Sequence, residues 1–467
     1  MQKKGTLNRR NFLGGIAVTG MAGALGAGGL LTSCSGGNSS EASKGPRKTA
    51  ADLGIPEFLD QAPDGIPVKA ALIGCGGRGT GAAVNFLNAG PNLEIVALGD
   101  VLADKMQNCA ETLRTKYNQS IKDENCFLGF DAYQKIMAMP EINLVLLCTP
   151  PFYRPTHFEA AVNAGKNVFM EKPCAVDPVG IRSVIANSRK AQSAGLTVVT
   201  GNQRRHKRDY CAAFVEVANG AIGDILGASC HWNQGSWWYR RRQAGWSDME
   251  YATRNWTNII WQCGDHILDQ AIHNIDVVTW FMQKTPLEVV GYGGRARRET
   301  GDIFDFFSCD YTYPDYVRML ATARQIDGCD SHVGEFLMGT RGVALLNDSA
   351  NIKLVTHQGE LIWEYAYEKG EDGRNKIKSA YDQEHVDLVT AIRTNKPRVE
   401  SETLAISTLV GIMGREAAYS GKKITWDEIM NSDLKYGPKE IVMGPLPDFR
   451  EIVPVPGKES DRGERNS

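Results

Sequence analysis

Charge of one sign is missing from this sequence: 52 lysines and arginines stand against 54 aspartates and glutamates, a formal net charge of −2. No global field therefore draws the chain to nucleic acid or to an anionic membrane surface. Basic blocks, a heptad seam and an internal repeat are also missing, which excludes a coiled coil or a solenoid. There are eleven cysteines but no CxxC pair and no regular spacing. Several sit in apolar runs, such as Cys148 in "LVLLCTP", so buried free thiols are expected rather than a disulfide framework. What remains is 467 residues at 42% hydrophobic content, enough for two ordinary domains with real cores.

The N-terminus reads as a targeting segment over residues 1–33. Arg9-Arg10 followed by Asn11-Phe12-Leu13 resembles a twin-arginine export signal, and the Gly/Ala-rich run after it resembles its apolar region. Leu31-Thr32-Ser33-Cys34 has the form of a lipobox, with Cys34 as a lipid-carrying first mature residue. An uncleaved anchor is the alternative. Either way the body is expected to be exported, periplasmic and attached to a membrane only at Cys34. Twin-arginine export carries folded proteins, which again fits free thiols. Residues 34–66 are small and polar at their start and read as a flexible tether.

From residue 67 short apolar runs alternate with helical patterns: "VKAALIG", "LEIVALGD", "INLVLLCTP", "NVFMEKP" and "LTVVTGNQ" are strands with helices between them. Such runs belong to a parallel sheet covered on both faces. This α/β domain is placed at residues 67–202. After an Arg- and Trp-rich stretch and a helix over about 264–283 come period-two segments such as "IFDFFSCDYTY" and "VRMLATARQI". They predict an antiparallel sheet with one face packed on helices. The second, α+β domain is placed at 203–433, with a tail over 434–467.

"ALIGCGGRGTG" puts Gly74, Gly76 and Gly79 at the strand-to-helix turn. Gly74 permits the tight turn, Gly76 lets backbone approach a pyrophosphate, and Gly79 allows helix to pack on strand. The helix N-terminus offers free N–H groups to the anion. Asp100 ends the second strand; a carboxylate there accepts from both ribose hydroxyls and repels a 2′-phosphate, favouring NAD over NADP.

The glycine loop, "LCTPP" at 147–151, "HFEAAVNAGKNV" at 157–168 and "VFMEKP" at 168–173 together resemble the Gfo/Idh/MocA oxidoreductases. The resemblance implies a Rossmann dinucleotide-binding domain followed by an α+β domain with a large, mostly antiparallel sheet. It implies a nicotinamide cofactor between them, a sugar or polyol over the sheet, and a homo-oligomer paired through the open sheet face. The expected cofactor set is Gly74, Gly76, Gly77, Arg78, Gly79, Asp100, Thr149, Pro150, His157, Glu171 and Lys172. Lys172 matches the family lysine that bonds the reacting hydroxyl, with Pro173 often after a cis peptide in relatives.

"WQCGDHILDQAIHNID", residues 261–276, matches the family's Asp-x-x-x-His-x-x-Asp helix at Asp269, His273 and Asp276. Asp269 and His273, four apart, are expected on one helix face. Oxidising a secondary alcohol needs a base for the hydroxyl proton, and imidazole suits that near neutral pH. Lys172, His273 and Asp269 are therefore the expected catalytic residues. The spacing His266-x-x-Asp269-x-x-x-His273 is a poor zinc signature, and no metal is expected. His266 is either a substrate contact or a helix-capping residue. Arg204, Arg205 and His206 in "NQRRH" are substrate candidates or a solvated basic turn. Trp237 in "HWNQGSWWYRRR" is a sugar-stacking candidate or part of a core or contact.

The function expected is an exported NAD-dependent oxidoreductase acting on a sugar, glycoside or polyol hydroxyl, with its cofactor tightly held. The alternative is an NAD-dependent redox-neutral glycosidase working by transient C3 oxidation and elimination. "GDHILDQAIHN" replaces the His-Gly-Asn and Pro-Thr-His motifs associated with such glycosidases, which lowers that reading. A noncatalytic sugar-binding lipoprotein is a third class, opposed by the joint presence of Lys172, Asp269 and His273.

Overall fold

A computed structural model describes residues 46–347 and 352–458. The export signal, Cys34 and the first part of the tether lie outside the described residues. Six strands make a parallel sheet: β1 (Val68–Ile73), β2 (Leu93–Asp100), β3 (Cys126–Leu128), β4 (Leu144–Leu147), β5 (Asn167–Met170) and β6 (Val198–Thr200). Their order is β3-β2-β1-β4-β5-β6. Helices α1 (Gly77–Asn88), α2 (Ala103–Tyr117), α3 (Ala132–Met137), α4 (Arg154–Asn163) and α5 (Pro178–Ser193) connect them. Every residue of β4 and β6 is buried, as a strand covered on both faces must be.

The second domain begins with α6 (Arg208–Ala218), β7 (Ile225–Gln234), α7 (Asp248–Arg254), α8 (Ile260–Cys263), α9 (His266–Asp269) and α10 (Ile272–Met282). Strands β8 (Glu288–Gly294), β9 (Phe306–Thr312), β10 (Arg318–Gln325), β11 (His332–Gly339), β12 (Val343–Leu346), β13 (Lys353–Val355) and β14 (Leu361–Glu364) follow. Then come α11 (Ala380–Arg393), α12 (Ser401–Ser420), β15 (Ile424–Thr425) and α13 (Trp426–Met430). The nine-stranded sheet runs β14-β13-β12-β11-β7-β10-β9-β8-β15. It is antiparallel except where β7 pairs with β10. Phe307, Cys309 and Tyr311 alternate inward along β9, and α10 and α12 pack on that face. Among the described residues no helix is long and apolar enough to cross a membrane.

α12 is wedged between the domains. Its Ser401 Oγ bonds Ser188 of α5 at 2.6 Å, and Tyr311 of β9 donates to its Val410 carbonyl at 2.9 Å. A Cβ on Gly414 would lie 2.1 Å from that tyrosine's oxygen, so only glycine lets the helix sit so close to the sheet.

Three boundaries differ from the sequence reading. The tether does not extend to residue 66: Ile55 is buried against the second domain's core and Ala62 against the first, while Arg208 holds Asp60 at 3.0 Å. Apolar side chains in this stretch dock it as a strap. The second domain is not continuous over 203–433, because Val386, Leu388 and Val389 of α11 complete the core beside β1 and α1. The tail from 434 is packed too: Tyr436 is buried and bonds Glu416 at 3.0 Å. All ten described cysteines are free; Cys329 is exposed, the others buried or half-buried.

A buried ionic cluster fastens α11 and α12 to the end of β6. His206 bonds Asp387 at 2.6 Å and Glu400 at 3.3 Å. Burial alone would lower the His206 pKa, but Glu400 and Asp387 outweigh it and raise it to about 10. A pKa raised in the folded state gives stability that is complete below the unfolded value of about 6.5 and is lost as pH rises through about 10. Replacing His206 with Gln removes the cation between two buried carboxylates, with Arg398 still paired to Glu400 and Gln383 still donating to Asp387, so denaturant titration at pH 6 should show a loss of about 3 kcal/mol. The gap from the parent should narrow toward pH 10; a gap constant with pH would refute this account.

Candidate functional site

One cleft of about 670 Å³ runs between the domains, from the glycine loop to α9 and α10. At one end β1 turns sharply into α1. Gly74 takes φ +97°, and a Cβ on it would lie 2.6 Å from the Cys148 carbonyl carbon. A Cβ on Gly79 would lie 1.8 Å from the Gly74 oxygen. Gly76 and Gly77 instead face open space, and Gly76 caps α1 without a side-chain bond. The first N–H groups of a 12-residue helix are thus presented to the cleft, a cradle fitted to a pyrophosphate.

Asp100 lines the same cleft. Its oxygens accept from Cys75 N at 2.6 Å and Leu102 N at 2.8 Å, so it braces the glycine loop as well as facing a ribose position. Burial raises its pKa, with those backbone bonds opposing the rise. A carboxylate oxygen has a second lone pair for a hydroxyl. The donor set therefore fits a dinucleotide. Thr149, Pro150 and His157 also line the cleft. Thr149 lies 3.4 Å from His157 Nδ1, and burial, then the Arg154 charge, lowers the His157 pKa to about 3, leaving it neutral.

At the other end the two domains meet through Lys172. The end of β5 delivers it, and the Lys172–Pro173 peptide is cis. Its Nζ donates to the Asp269 backbone carbonyl and lies 3.8 Å from Asp269 Oδ1. Glu171, buried beside it, pairs with Arg78. Burial works against the Glu171 carboxylate, but Arg78, Lys172 and Arg154 outweigh it and hold its pKa below the usual range. Glu384 of α11 lies 3.7 Å from the same guanidinium. Burial pushes its pKa well above the ordinary value, with Arg78 opposing and Glu171 adding to the rise. One cation thus serves two carboxylates, and Glu384 is the one whose proton is held more tightly.

Asp269 and His273 both line this end of the cleft, but not on one continuous helix. α9 ends at Asp269 and α10 begins at Ile272. Gln270, at φ −117° and ψ −56°, stands at the break, donates to Asp269 Oδ2 at 3.1 Å and also lines the cleft. His273 is buried, its Nδ1 has no protein partner, and its ring lies 5.4 Å from that of Trp232. Burial, then the charges of Lys172, Arg204 and Arg78, hold its pKa well below 6.5. The imidazole is therefore neutral and can accept from a hydroxyl.

Other expected contacts are placed elsewhere. Arg204 is buried in an ion pair with Glu335. Arg205 grips Asp276 through two bonds of 2.8 and 2.9 Å, and Asp276 also accepts from Ser407 at 2.6 Å. His206 is held by Asp387 and Glu400. None of the three arginine and histidine side chains lines the cleft; buried charges must be paired, and these pairs fasten the second domain. His266 is 1% exposed, outside the cleft lining and edge-on to Phe307 at 5.2 Å. It is neither a substrate contact nor the cap: Asp265 caps α9. Among the described residues no three His, Cys, Asp or Glu side chains gather as around a metal ion. Trp237 does line the cleft, with Trp238, Arg240, Arg254 and Trp256. Trp238 and Arg240 belong to the same "HWNQGSWWYRRR" patch, and Arg254 and Trp256 to "RNWTNIIWQ", residues 254–262, which the sequence reading expected to wall the pocket.

Two family models match the chain, together over more than half its length. Residues 68–200 match an oxidoreductase family with an NAD-binding Rossmann fold, and residues 210–344 match the GFO/IDH/MocA C-terminal domain. The chain is similar to a scyllo-inositol 2-dehydrogenase (NADP(+)) of Bacillus subtilis, 26% identical over 38% of this chain and 45% of that one. It is similar to a glycosyl hydrolase family 109 protein of Streptomyces coelicolor, 25% identical over 56% of this chain and 50% of that one. The chain thus spans about half the length of these curated relatives. A solved scyllo-inositol dehydrogenase of Lactobacillus casei, with bound NAD(H) and scyllo-inositol, superposes with a TM-score of 0.57 at 20% identity, over 77% of this chain and 99% of that one; that likeness is one of fold. With an NAD-binding α/β domain, a large mostly antiparallel sheet beyond it and both family models matched in order, the chain belongs to the Gfo/Idh/MocA oxidoreductase family.

Proposed function

We propose that this protein is an NAD-dependent oxidoreductase that moves hydride between a sugar, glycoside or polyol hydroxyl carbon and a tightly held nicotinamide cofactor. The observation that carries the reading is the meeting of Lys172, Asp269 and His273 in the cleft that also holds the glycine cradle and Asp100. Bound NAD would supply the hydride acceptor. The chain's own residues do the rest. The ammonium of Lys172, fixed by the Asp269 carbonyl, donates to the reacting oxygen and stabilises negative charge growing there. The neutral His273 takes the hydroxyl proton on its imidazole. Asp269, beside Lys172 and in the same cleft as His273, adds negative charge to that end of the site, while Gln270 holds its carboxylate.

Export by the twin-arginine route, with lipid attachment at Cys34, belongs to the same proposal and is supported by the sequence motif alone. Free NAD is expected to be scarce outside the cytoplasm. A protein folded before export can carry its cofactor with it and recycle it in place. The carbohydrate substrate class is supported by the inositol dehydrogenase relatives. Homo-oligomer formation is part of the proposal too, supported by apolar residues such as Val290, Tyr292 and Leu320 exposed on the sheet strands. A second reading, the redox-neutral glycosidase, is favoured by the family 109 relative; it would use the same first oxidation and then eliminate the glycosidic oxygen.

Denaturing the purified protein and weighing the released nucleotide by mass spectrometry should show NAD. Incubation with a glycoside panel should give a ketosugar; free sugar with no net NAD reduction would instead select the glycosidase. No bound or bindable nucleotide sinks both. Lys172→Ala and His273→Ala should each lower kcat by about 10²–10⁴-fold while ligand-induced thermal stabilisation persists. Unchanged turnover would refute the assignment. Because the His273 pKa is depressed, its base form persists as pH falls. Its contribution to kcat/KM for alcohol oxidation should stay constant down through pH 6.5; an acid limb at or above 6.5 that disappears in His273→Ala would contradict the neutral-imidazole role.

A further inference from the structure

The second domain also closes over the part of the cleft farthest from Lys172. Asp100 ends β2, and the first turn of α2 begins at Ala103. With the pyrophosphate on Gly76 and Gly77 and a ribose at Asp100, the adenine side of a dinucleotide lies toward that turn. Leu102 and Lys105 line the cleft there. Opposite them Arg254, at the end of α7, reaches across to Asp104 with bonds of 2.9 and 3.2 Å. Arg254 is held in place by Glu250 at 2.9 Å and lies over the Trp246 ring at 5.3 Å. The bridge also holds the Asp104 carboxyl below the usual carboxylate range.

The aromatic loop before α7 is fixed to the same structure. Asn258 donates to the Trp238 carbonyl at 3.2 Å, and Arg240 N donates to Asn255 Oδ1 at 2.8 Å. The Trp238 and Trp256 rings meet edge to face at 6.3 Å, and both line the cleft. Trp238 keeps 41% of its surface exposed, a large cost for an indole unless something flat covers it.

We infer that Trp238, Trp256 and the Arg254–Asp104 bridge form a second-domain roof over the adenosine half of the bound dinucleotide, with the bridge as its latch. This rests on the NAD-binding reading above. Nucleotide then leaves only when the bridge parts and the aromatic loop lifts, so the roof acts on the dissociation rate. It gives Trp238 a role at the cofactor.

The test uses the full chain loaded with adenine-deuterated NAD, diluted into excess unlabelled NAD, with exchange followed by mass spectrometry. Asp104→Asn and Arg254→Ala should each speed release about three- to fivefold, the range for a partly exposed ion pair, and the double variant no more than either alone. Asp104 is half-exposed on a helix surface, so its substitution leaves the core untouched. Trp238→Ala should speed release on the order of tenfold, as loss of one base–aromatic stack does. Release from the parent should quicken with added NaCl, and release from Asp104→Asn should not. Unchanged release in both bridge variants, or effects that simply add, overturns the latch; unchanged release in Trp238→Ala overturns the roof. Failure of the parent to bind NAD at all overturns the NAD-binding reading itself.

Discussion

Everything at the reacting end of the cleft depends on one contact between domains: the Lys172 ammonium on the Asp269 carbonyl. Lys172 follows β5 of the parallel sheet by two residues, and Asp269 belongs to a short helix of the second domain. An ammonium with three donors and no acceptor can hold one carbonyl and still present a proton to a substrate. Its charge also has a second effect. It stands near His273 and helps keep that buried imidazole neutral. In the proposed reaction one cation would therefore set the position of the substrate oxygen and the protonation state of the imidazole that receives its proton. A substitution that moved either domain by an ångström would disturb both at once.

Such precision needs a rigid frame, and the frame is ionic as well as apolar. Arg204 on Glu335, Arg205 on Asp276 and His206 on Asp387 and Glu400 come from one short turn after β6. They tie it to β11, α10, α11 and the entry to α12. Each pair is buried, so its net contribution to stability is small against an apolar replacement, while breaking it by removing one partner is costly. Pairs of this kind select one arrangement of the domains over others. α12 adds the apolar part, filling the gap between α5 and the inner sheet face with Gly414 against Tyr311.

The features legible in the sequence were those fixed by local backbone geometry. The glycine loop could be read because a Cβ at Gly74 or Gly79 has no room, and the parallel sheet because its strands are apolar on both faces. The pairing of Asp269 with His273 in one cleft followed from the motif, but the helix break between them did not. Gln270 and Ala271 are not helix breakers, so nothing local in the sequence marked the break. The role of "NQRRH" was illegible for another reason. Its three charged side chains find their partners at residues 276, 335, 387 and 400, and no single-sequence pattern reveals such long-range pairing. His266 looked functional because histidines are usually polar contacts; an adjacent aspartate that caps the helix leaves it facing Phe307 instead. The return of α11 to the first domain was missed because a continuous boundary was assumed.

The two functional readings share more than they divide. Both begin with loss of a proton from oxygen and a hydride from carbon, and both need Lys172 to hold the growing oxyanion. They part at the next carbon, where the glycosidase must remove a proton acidified by the new carbonyl. Once it has received the hydroxyl proton the imidazole is a cation with both nitrogens protonated and cannot take a second one. Asp269 stands 3.8 Å from the Lys172 ammonium and accepts from Gln270 on its other oxygen, so it lies against a cation and an amide donor. Elimination would require His273 to release its first proton before the second abstraction, whereas simple oxidation requires only that it release the proton before the next turnover. The site as built satisfies the shorter sequence with every charged group already in place, which is the physical reason for ranking the oxidoreductase first.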